Sequence, residues 1–351
     1  PKKAIFSVID DCHEKGIQGI CIISAGFKEV DEEGAKLEEQ LKAQCEKYGM
    51  TVVGPNCMGV MNTAEDISMN VTFAPTHPVP GNAAFVSQSG ALGIAVLNVA
   101  RDINLGMSDF VSMGNNMDVN GTDLLEYWEK DKATKLVLMY LESISDPAKF
   151  RALAEKMTKT KPVIVVKSGT SSAGAAAASS HTGALAGSDN AASALLQQAG
   201  IIRETSVLNM FETAQAFSNC PLPKGRNIAI LTNAGGPGIM CTDAAEKYGL
   251  NIVKLEDKTK EEMKSFLPEA ASVRNPVDTI AAVTTENYER CLNLLLEDKN
   301  VDAVIAVVVP LVQIKEDAMA KAMMKAQDKY AKPVLGVMMS TDEAFQTIYN
   351  V

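Results

Sequence analysis

The chain has 351 residues, 46% of them hydrophobic, and a formal net charge of −10. That length allows more than one core, and the acidic balance excludes the basic field needed for nucleic acid or an anionic membrane surface, so small anions must be bound by local devices. The seven cysteines (Cys12, Cys21, Cys45, Cys57, Cys220, Cys241, Cys291) stand singly, and no apolar run approaches the ~20 residues of a membrane span, which reads as a soluble protein of the reducing cytoplasm. The 17 methionines are spread through strand-like and helix-like segments alike and read as core filling.

Short β-branched apolar runs alternate with amphipathic stretches of roughly ten to eighteen residues, the pattern of βα units building buried parallel sheets, so the class is α/β. The spacing predicts a helix over Lys3–Lys15, a strand over Ile20–Ser24, a helix over Asp31–Tyr48 and a strand over Met50–Val53. Two strands do not make a stable buried sheet, so residues 1–80 read as the C-terminal part of a Rossmann-like domain whose front half lies upstream. Pro75, Pro78, Pro80 and Gly81 form a linker. Residues 81–222 then predict strands over Ala83–Ser87, Asp109–Met113, Leu136–Leu141, Pro162–Lys167 and Ile201–Ile202, with helices over Gly90–Arg101, Thr122–Glu129, Pro147–Met157 and Asp189–Ala199. This is the pattern of a flavodoxin-like, doubly wound domain. After a second linker at Cys220–Gly225, residues 223–351 repeat it. Strands are predicted over Asn227–Leu231, Ile252–Leu255, Ala303–Val309 and Val334–Met338, and helices over Gly238–Tyr248, Glu286–Leu296 and Glu316–Tyr330. The expected architecture is therefore a partial Rossmann-like domain followed by two flavodoxin-like domains, the second ending at Val351 inside a helix-like run.

Two strand-to-helix turns have the chemistry of anion sites. Ser87, Gln88, Ser89 and Gly90 bring hydroxyls and free backbone N–H groups to a positive helix end, and Gly235 and Gly236, followed by Pro237, repeat the device. Each taken alone is also what an ordinary βα turn needs. The tract 168–187 is small and polar almost throughout, bends easily, and carries His181, one of three histidines in the chain. With no second His or Cys near it, His181 is a poor metal ligand and makes better sense as a nucleophile or proton carrier, and no metal site is assigned. His13, on a polar helix, and His77, in a Pro-rich linker, are unremarkable by comparison. An imidazole that attacks phosphorus must be neutral, with its other N–H held by an acceptor. Glu142, following the strand Leu136–Leu141 at the carboxyl end of the sheet, is the leading candidate; Asp146 and Asp118 are alternatives.

Gly54-Pro-Asn-Cys57, Ser87-Gln-Ser-Gly-Ala91, Ser180-His-Thr-Gly-Ala-Leu-Ala-Gly187 and Asn275-Pro-Val-Asp278 together resemble the NDP-forming acyl-CoA synthetases, relatives of succinyl-CoA synthetase, from about residue 20 to the end. The resemblance implies a CoA-binding domain over 1–80, a first ligase domain over 81–222 with its phosphohistidine loop at 168–187, and a second ligase domain over 223–351. It implies that His181 is the phosphorylated residue, that Glu142 is its carboxylate partner, and that both helix N-termini face one phosphoryl group. It also implies the reaction acyl-CoA + phosphate + ADP ⇌ carboxylic acid + CoA + ATP, in an oligomer.

Three departures from the family pattern stand out. The Gly-rich CoA-phosphate turn is absent, so CoA contact is implied only for a back edge of Ser24, Ala25, Gly26, Phe27, Asn56 and Cys57. No ATP-grasp domain is present, so Mg-nucleotide is expected on an ATP-grasp partner subunit or domain. Thr170 stands where members often carry a basic residue. Two other classes of function compete with this one. A catalytically silent CoA- or acyl-CoA-sensing module of an acyltransferase fusion has no need of His181, and a flavodoxin-like module binding nucleotide or flavin has no evident use for a small-residue loop bearing a histidine.

Overall fold

The largest sheet has seven strands, and its order explains where a site can form. In the computed structural model, which describes residues 2–176, 188–310 and 316–340, the chain divides into two units, Pro1–Ser218 and Asn219–Val351.

The first unit opens with helix α1 (Ile5–Glu14), strand β1 (Gly19–Cys21), helix α2 (Glu32–Tyr48) and strand β2 (Thr51–Val53). The strands β1 and β2 pair in parallel. Helix α2 starts where the Asp31 carboxylate accepts the Gly34 N–H at 2.7 Å and stops at Gly49, left-handed at φ 65°. Ile5, Ile9, Ile22, Phe27, Leu41 and Val52 form the small core between these elements. Strand β1 is shorter than expected because, after the Ile22 N–H donates to Val53 O at 2.9 Å, the chain leaves the ladder for the loop that reaches α2.

Strands β3 (Gly59–Asn62) and β4 (Met69–Thr72) were not expected, and their pairing crosses the boundary anticipated at residue 80. They run antiparallel to one another, and β3 lies antiparallel on β6 (Met107–Ser112). The rest of the sheet comprises β5 (Pro80–Ser87), β7 (Leu136–Leu141), β8 (Val163–Lys167) and β9 (Ile202–Glu204). The sheet order is β4-β3-β6-β5-β7-β8-β9. The five parallel strands thus follow the 2-1-3-4-5 order of flavodoxin-like folds, and β3 and β4 cover what would otherwise be an open β6 edge.

Alternation along β5 supplies both faces of this sheet. Phe85 faces a core with Val96 and Leu97 of helix α3 (Gly90–Asp102). Ala84 and Val86 face Trp128 of α4 (Gly121–Lys130), Phe150 of α5 (Pro147–Met157) and Leu196 of α6 (Asp189–Gln198). An unforeseen helix, α7 (Val207–Asn219), adds Met210, Phe211 and Ala214 to the first face.

The second unit holds β10 (Asn227–Thr232), α8 (Gly235–Lys247), β11 (Asn251–Ile252), α9 (Asp257–Lys264), β12 (Val277–Asp278), α10 (Thr285–Glu297), β13 (Ala303–Val308), α11 (Glu316–Tyr330) and β14 (Val334–Met338). Its order is β11-β10-β13-β14, with β12 also paired to β10, so the flavodoxin-like arrangement is repeated. Helix α9 and strand β12 escaped the sequence reading. The first is mostly charged and buries only Thr259 and Met263, and the second is two residues long. Asn275 makes β12 possible: its side chain accepts the Ile230 N–H at 2.9 Å and donates to Ile228 O and Val253 O at 2.8 and 3.0 Å, filling the gap between β10 and β11.

Candidate active site

Strand β5 ends at Ser87, paired in register with Ser112 on one side and Tyr140 on the other. The chain then turns into α3. The Ser87 hydroxyl donates to Ser89 O at 2.7 Å and accepts the Ser89 N–H at 3.0 Å, closing a tight turn, while the Ser89 hydroxyl caps α3 by accepting the Leu92 N–H at 3.4 Å. The expected anion site is therefore narrower than the sequence suggested. The Ser89 N–H is engaged within the turn, and the first N–H groups of α3, at Gly90 and Ala91, are the ones directed outward by helix geometry. A Cβ at Gly90 would meet only Ser112 Oγ, at 4.0 Å, so ligand can approach this backbone closely.

Gln88 does not offer its side chain to this space. Its backbone N–H donates to Tyr140 O at 3.2 Å, its Oε1 accepts the N–H groups of both Glu142 and Ser143 (the latter at 2.9 Å), and its Nε2 donates to Ser143 O at 3.1 Å. Glu142 is buried at 8% exposure and follows β7 on the far side of the switch point from β6, where ligands gather in open α/β sheets. On its other side Leu141 pairs with Lys167, the residue that opens the small-residue tract. Burial pushes the Lys167 ammonium below its usual range, with Arg203 adding to the shift and Asp189 and Glu142 opposing it. Residues 172–176 of that tract are helical, whereas His181 lies outside the described residues. The two alternatives to Glu142 have other tasks. Asp146 caps α5 by accepting the Lys149 N–H at 3.0 Å, and Asp118 accepts the Val52 N–H at 2.7 Å.

The second turn is built the same way. Thr232 Oγ1 donates to Ala234 O at 2.9 Å and accepts the Ala234 N–H at 3.1 Å, and Asn233 exchanges two 2.8 Å hydrogen bonds with the N–H and C=O of Val309. Its surroundings differ. Thr232 pairs with Asp278, and a Cβ at Gly235 would lie 3.3 Å from an Asp278 carboxylate oxygen. A carboxylate thus already stands beside the start of α8, which opposes a second anion at Gly235, while Gly236 is open.

The implied CoA edge also narrows. The Phe27 and Cys57 side chains are 0% and 3% exposed, Phe27 in the small core and Cys57 3.5 Å from the Cys21 sulfur, so neither side chain faces a ligand. The Gly26 and Phe27 N–H groups are taken by the Glu29 carboxylate at 2.5 and 3.2 Å. Burial works against charge on Glu29, but hydrogen bonds from Asn115, Gly26 and Phe27 together outweigh it and hold the carboxyl below its usual range. Ser24, Ala25 and Asn56 remain at the surface of this edge. Among the described residues no His, Cys, Asp or Glu group gathers as a metal site, and no helix is long and apolar enough to cross a membrane. His13 stacks on Tyr48, and His77 hydrogen-bonds Asn70 at 2.9 Å.

Three family models match the chain. Residues 1–63 match a CoA binding domain, 80–217 the succinyl-CoA ligase-like flavodoxin domain and 228–344 the Ligase-CoA domain. The alpha subunit of ADP-forming acetate–CoA ligase II from Pyrococcus furiosus is 46% identical over 309 residues, 88% of this chain and 67% of that protein. The chain belongs to the ADP-forming acyl-CoA synthetase family. ADP-forming acetate–CoA ligase I from Archaeoglobus fulgidus is 42% identical over 90% of this chain and 45% of its own length, and the 4-hydroxybutyrate–CoA ligase of Nitrosopumilus maritimus is 41% identical over 97% and 49%. The chain thus spans about half to two thirds of these curated relatives. The dinucleotide-forming acetyl-coenzyme A synthetase 1 of Candidatus Korarchaeum cryptofilum, solved with phosphate and ADP, superposes with a TM-score of 0.93 at 35% identity, covering 99% of this chain and 75% of that one.

The sequence reading missed the residues that hold the loop before α2 to the seven-stranded sheet. Asn115 donates to Glu29 and Glu38 at 2.5 and 2.7 Å and accepts from Asn56 at 3.2 Å. Lys28 bridges to Glu38 at 3.0 Å and donates to Asn115 O at 2.6 Å. The signal was present in Met113-Gly-Asn-Asn-Met117, polar residues directly after a buried strand. Gly114 there has φ 56°, and a Cβ on it would lie 2.2 Å from Pro55 O.

Proposed function

We propose that this chain carries the CoA-, phosphate- and phosphohistidine-handling part of an ADP-forming acyl-CoA synthetase: acyl-CoA + phosphate + ADP ⇌ carboxylic acid + CoA + ATP. One observation carries the reading: an open helix N-terminus follows β5 and a buried glutamate follows the adjacent strand β7 at the switch point of one sheet, one strand from the tract that bears His181.

Phosphate at the Gly90 and Ala91 N–H groups attacks the thioester carbonyl, the CoA thiolate leaves, and an acyl phosphate forms. The helix end and its N–H donors stabilise the phosphoryl charge. A ring nitrogen of neutral His181 then attacks phosphorus and expels the carboxylate, while Glu142 holds the opposite ring N–H and stabilises the cation that develops. The ADP β-phosphate oxygen finally takes the phosphoryl group and returns His181 to its neutral form. CoA lies along Ser24, Ala25 and Asn56. Mg-nucleotide is bound by an ATP-grasp unit, as a separate subunit or as another part of the same polypeptide. The test is brief incubation of the full-length protein and its ATP-grasp unit with γ-labelled ATP. Acid-labile, base-stable label is expected on the native protein and none on His181→Asn; undiminished label on the variant would overturn the assignment.

A further inference from the structure

We infer that Gln88 is a positioning residue that acts through Glu142, and that it does not itself bind phosphate. This rests on the role proposed for Glu142.

The argument begins with the ladder. Strands β5 and β7 pair from Ala83↔Leu136 to Ser87↔Tyr140, and there β5 turns away into α3. Continuing β7 would leave the Glu142 and Ser143 backbone groups without strand partners at a buried position, a costly arrangement. The Gln88 side chain replaces the departed strand: its carbonyl oxygen accepts both N–H groups and its amide nitrogen donates to Ser143 O. Those partners also fix which end of the amide is oxygen. With Leu141 O accepting the Ser168 N–H at 3.0 Å on the other side, the backbone that carries Glu142 is held from both neighbours.

The second unit provides an internal control. Asn233 performs the same replacement where β10 leaves β13, but the residue it holds is Val309, which has no ionisable group. The clamp is thus a device of the fold, and in the first unit it has a carboxylate to aim. A carboxylate that must meet an imidazole N–H within hydrogen-bonding distance tolerates little displacement, and an error of ~1 Å at such a group costs about a hundredfold in rate.

The experiment is a double-mutant cycle on the full-length protein with its ATP-grasp unit, measuring the rate of acid-labile labelling from γ-labelled ATP, with affinity for inorganic phosphate measured by calorimetry. Gln88→Met removes the amide at similar volume; Gln88→Asn, which withdraws the amide by one methylene, replaces it if Gln88→Met does not fold. Labelling is expected to slow by about ten- to a hundredfold with phosphate affinity unchanged, and Gln88→Met is expected to add nothing in a Glu142→Gln background. Asn233→Leu, which breaks the twin clamp, should leave the labelling rate unchanged. Losses that multiply across the two sites, or weakened phosphate binding, would overturn the inference and make Gln88 a phosphate ligand. An unchanged rate in Glu142→Gln alone would instead remove the proposed role of Glu142.

Discussion

The turns at residues 87–90 and 232–235 share a backbone plan and differ in charge. Both close on a hydroxyl that bonds the N–H and C=O two residues on, and both send an amide side chain to extend the ladder of an adjacent parallel strand. In the first, the residue held by the amide is Glu142 and the neighbouring strand contributes the Ser112 hydroxyl; in the second, the corresponding residues are Val309 and Asp278. The first turn therefore has an open helix start with a buried acidic residue after a neighbouring strand, and the second has a carboxylate at its own helix start. One scaffold yields two electrostatic environments through two side chains.

The largest expected effect tests the Glu142 side of that contrast. Glu142→Gln should slow phosphohistidine formation by about two to four orders of magnitude, in line with the loss of an orienting charge, whereas Val309→Gln should leave it within a few-fold. Rapid-quench labelling reads both, and equal behaviour of the two variants would dissolve the comparison.

A smaller effect tests the other side. Asp278→Asn keeps an oxygen for the Ile280 N–H, which Asp278 now holds at 2.9 Å, but removes the charge beside α8. The second unit should lose no more than about 1 kcal/mol of stability, read from the midpoint of urea unfolding, and the Gly235 turn should gain affinity for sulfate. A second sulfate in a crystal of the variant, absent from the native protein at the same concentration, would sharpen the contrast; a sulfate at Gly235 of the native protein would break it.

The smallest effect concerns the loop that meets the first turn's sheet. Because the Glu29 carboxyl is held below its ordinary 4.5, its contribution to stability is fully present above that value and is lost as pH falls through the lower folded value. Glu29→Gln should flatten that acid limb and change little at neutral pH. Thermal melts between pH 3 and pH 6, as in ordinary carboxylate titration, would show it; an unchanged acid limb would mean that Asn115 and the loop N–H groups do not favour the ionised form.

The sequence by itself determined the fold class, the ends of α2 and α5, the strand–helix alternation of the flavodoxin-like domains, and the two glycine turns. These follow from local causes: apolar period, Asp31 and Asp146 as caps, Gly49 at a left-handed stop, and the short polar turn after a buried strand. Glu142 and His181 were legible as a carboxylate after a strand and a histidine in a small-residue tract, though the choice among Glu142, Asp146 and Asp118 was not. Tertiary structure alone gives Asp118 its task, holding the Val52 N–H, which spacing does not reveal. It also decided that Gln88 holds backbone and that Phe27 and Cys57 are core. It placed β3 and β4 in the ligase sheet and Asp278 at the second helix end. The reason is common to all of these. Each depends on a partner far along the chain, 54 residues between Gln88 and Glu142 and 66 between Val52 and Asp118, and a side chain's partner at that separation is set by strand order and not by its neighbours in sequence.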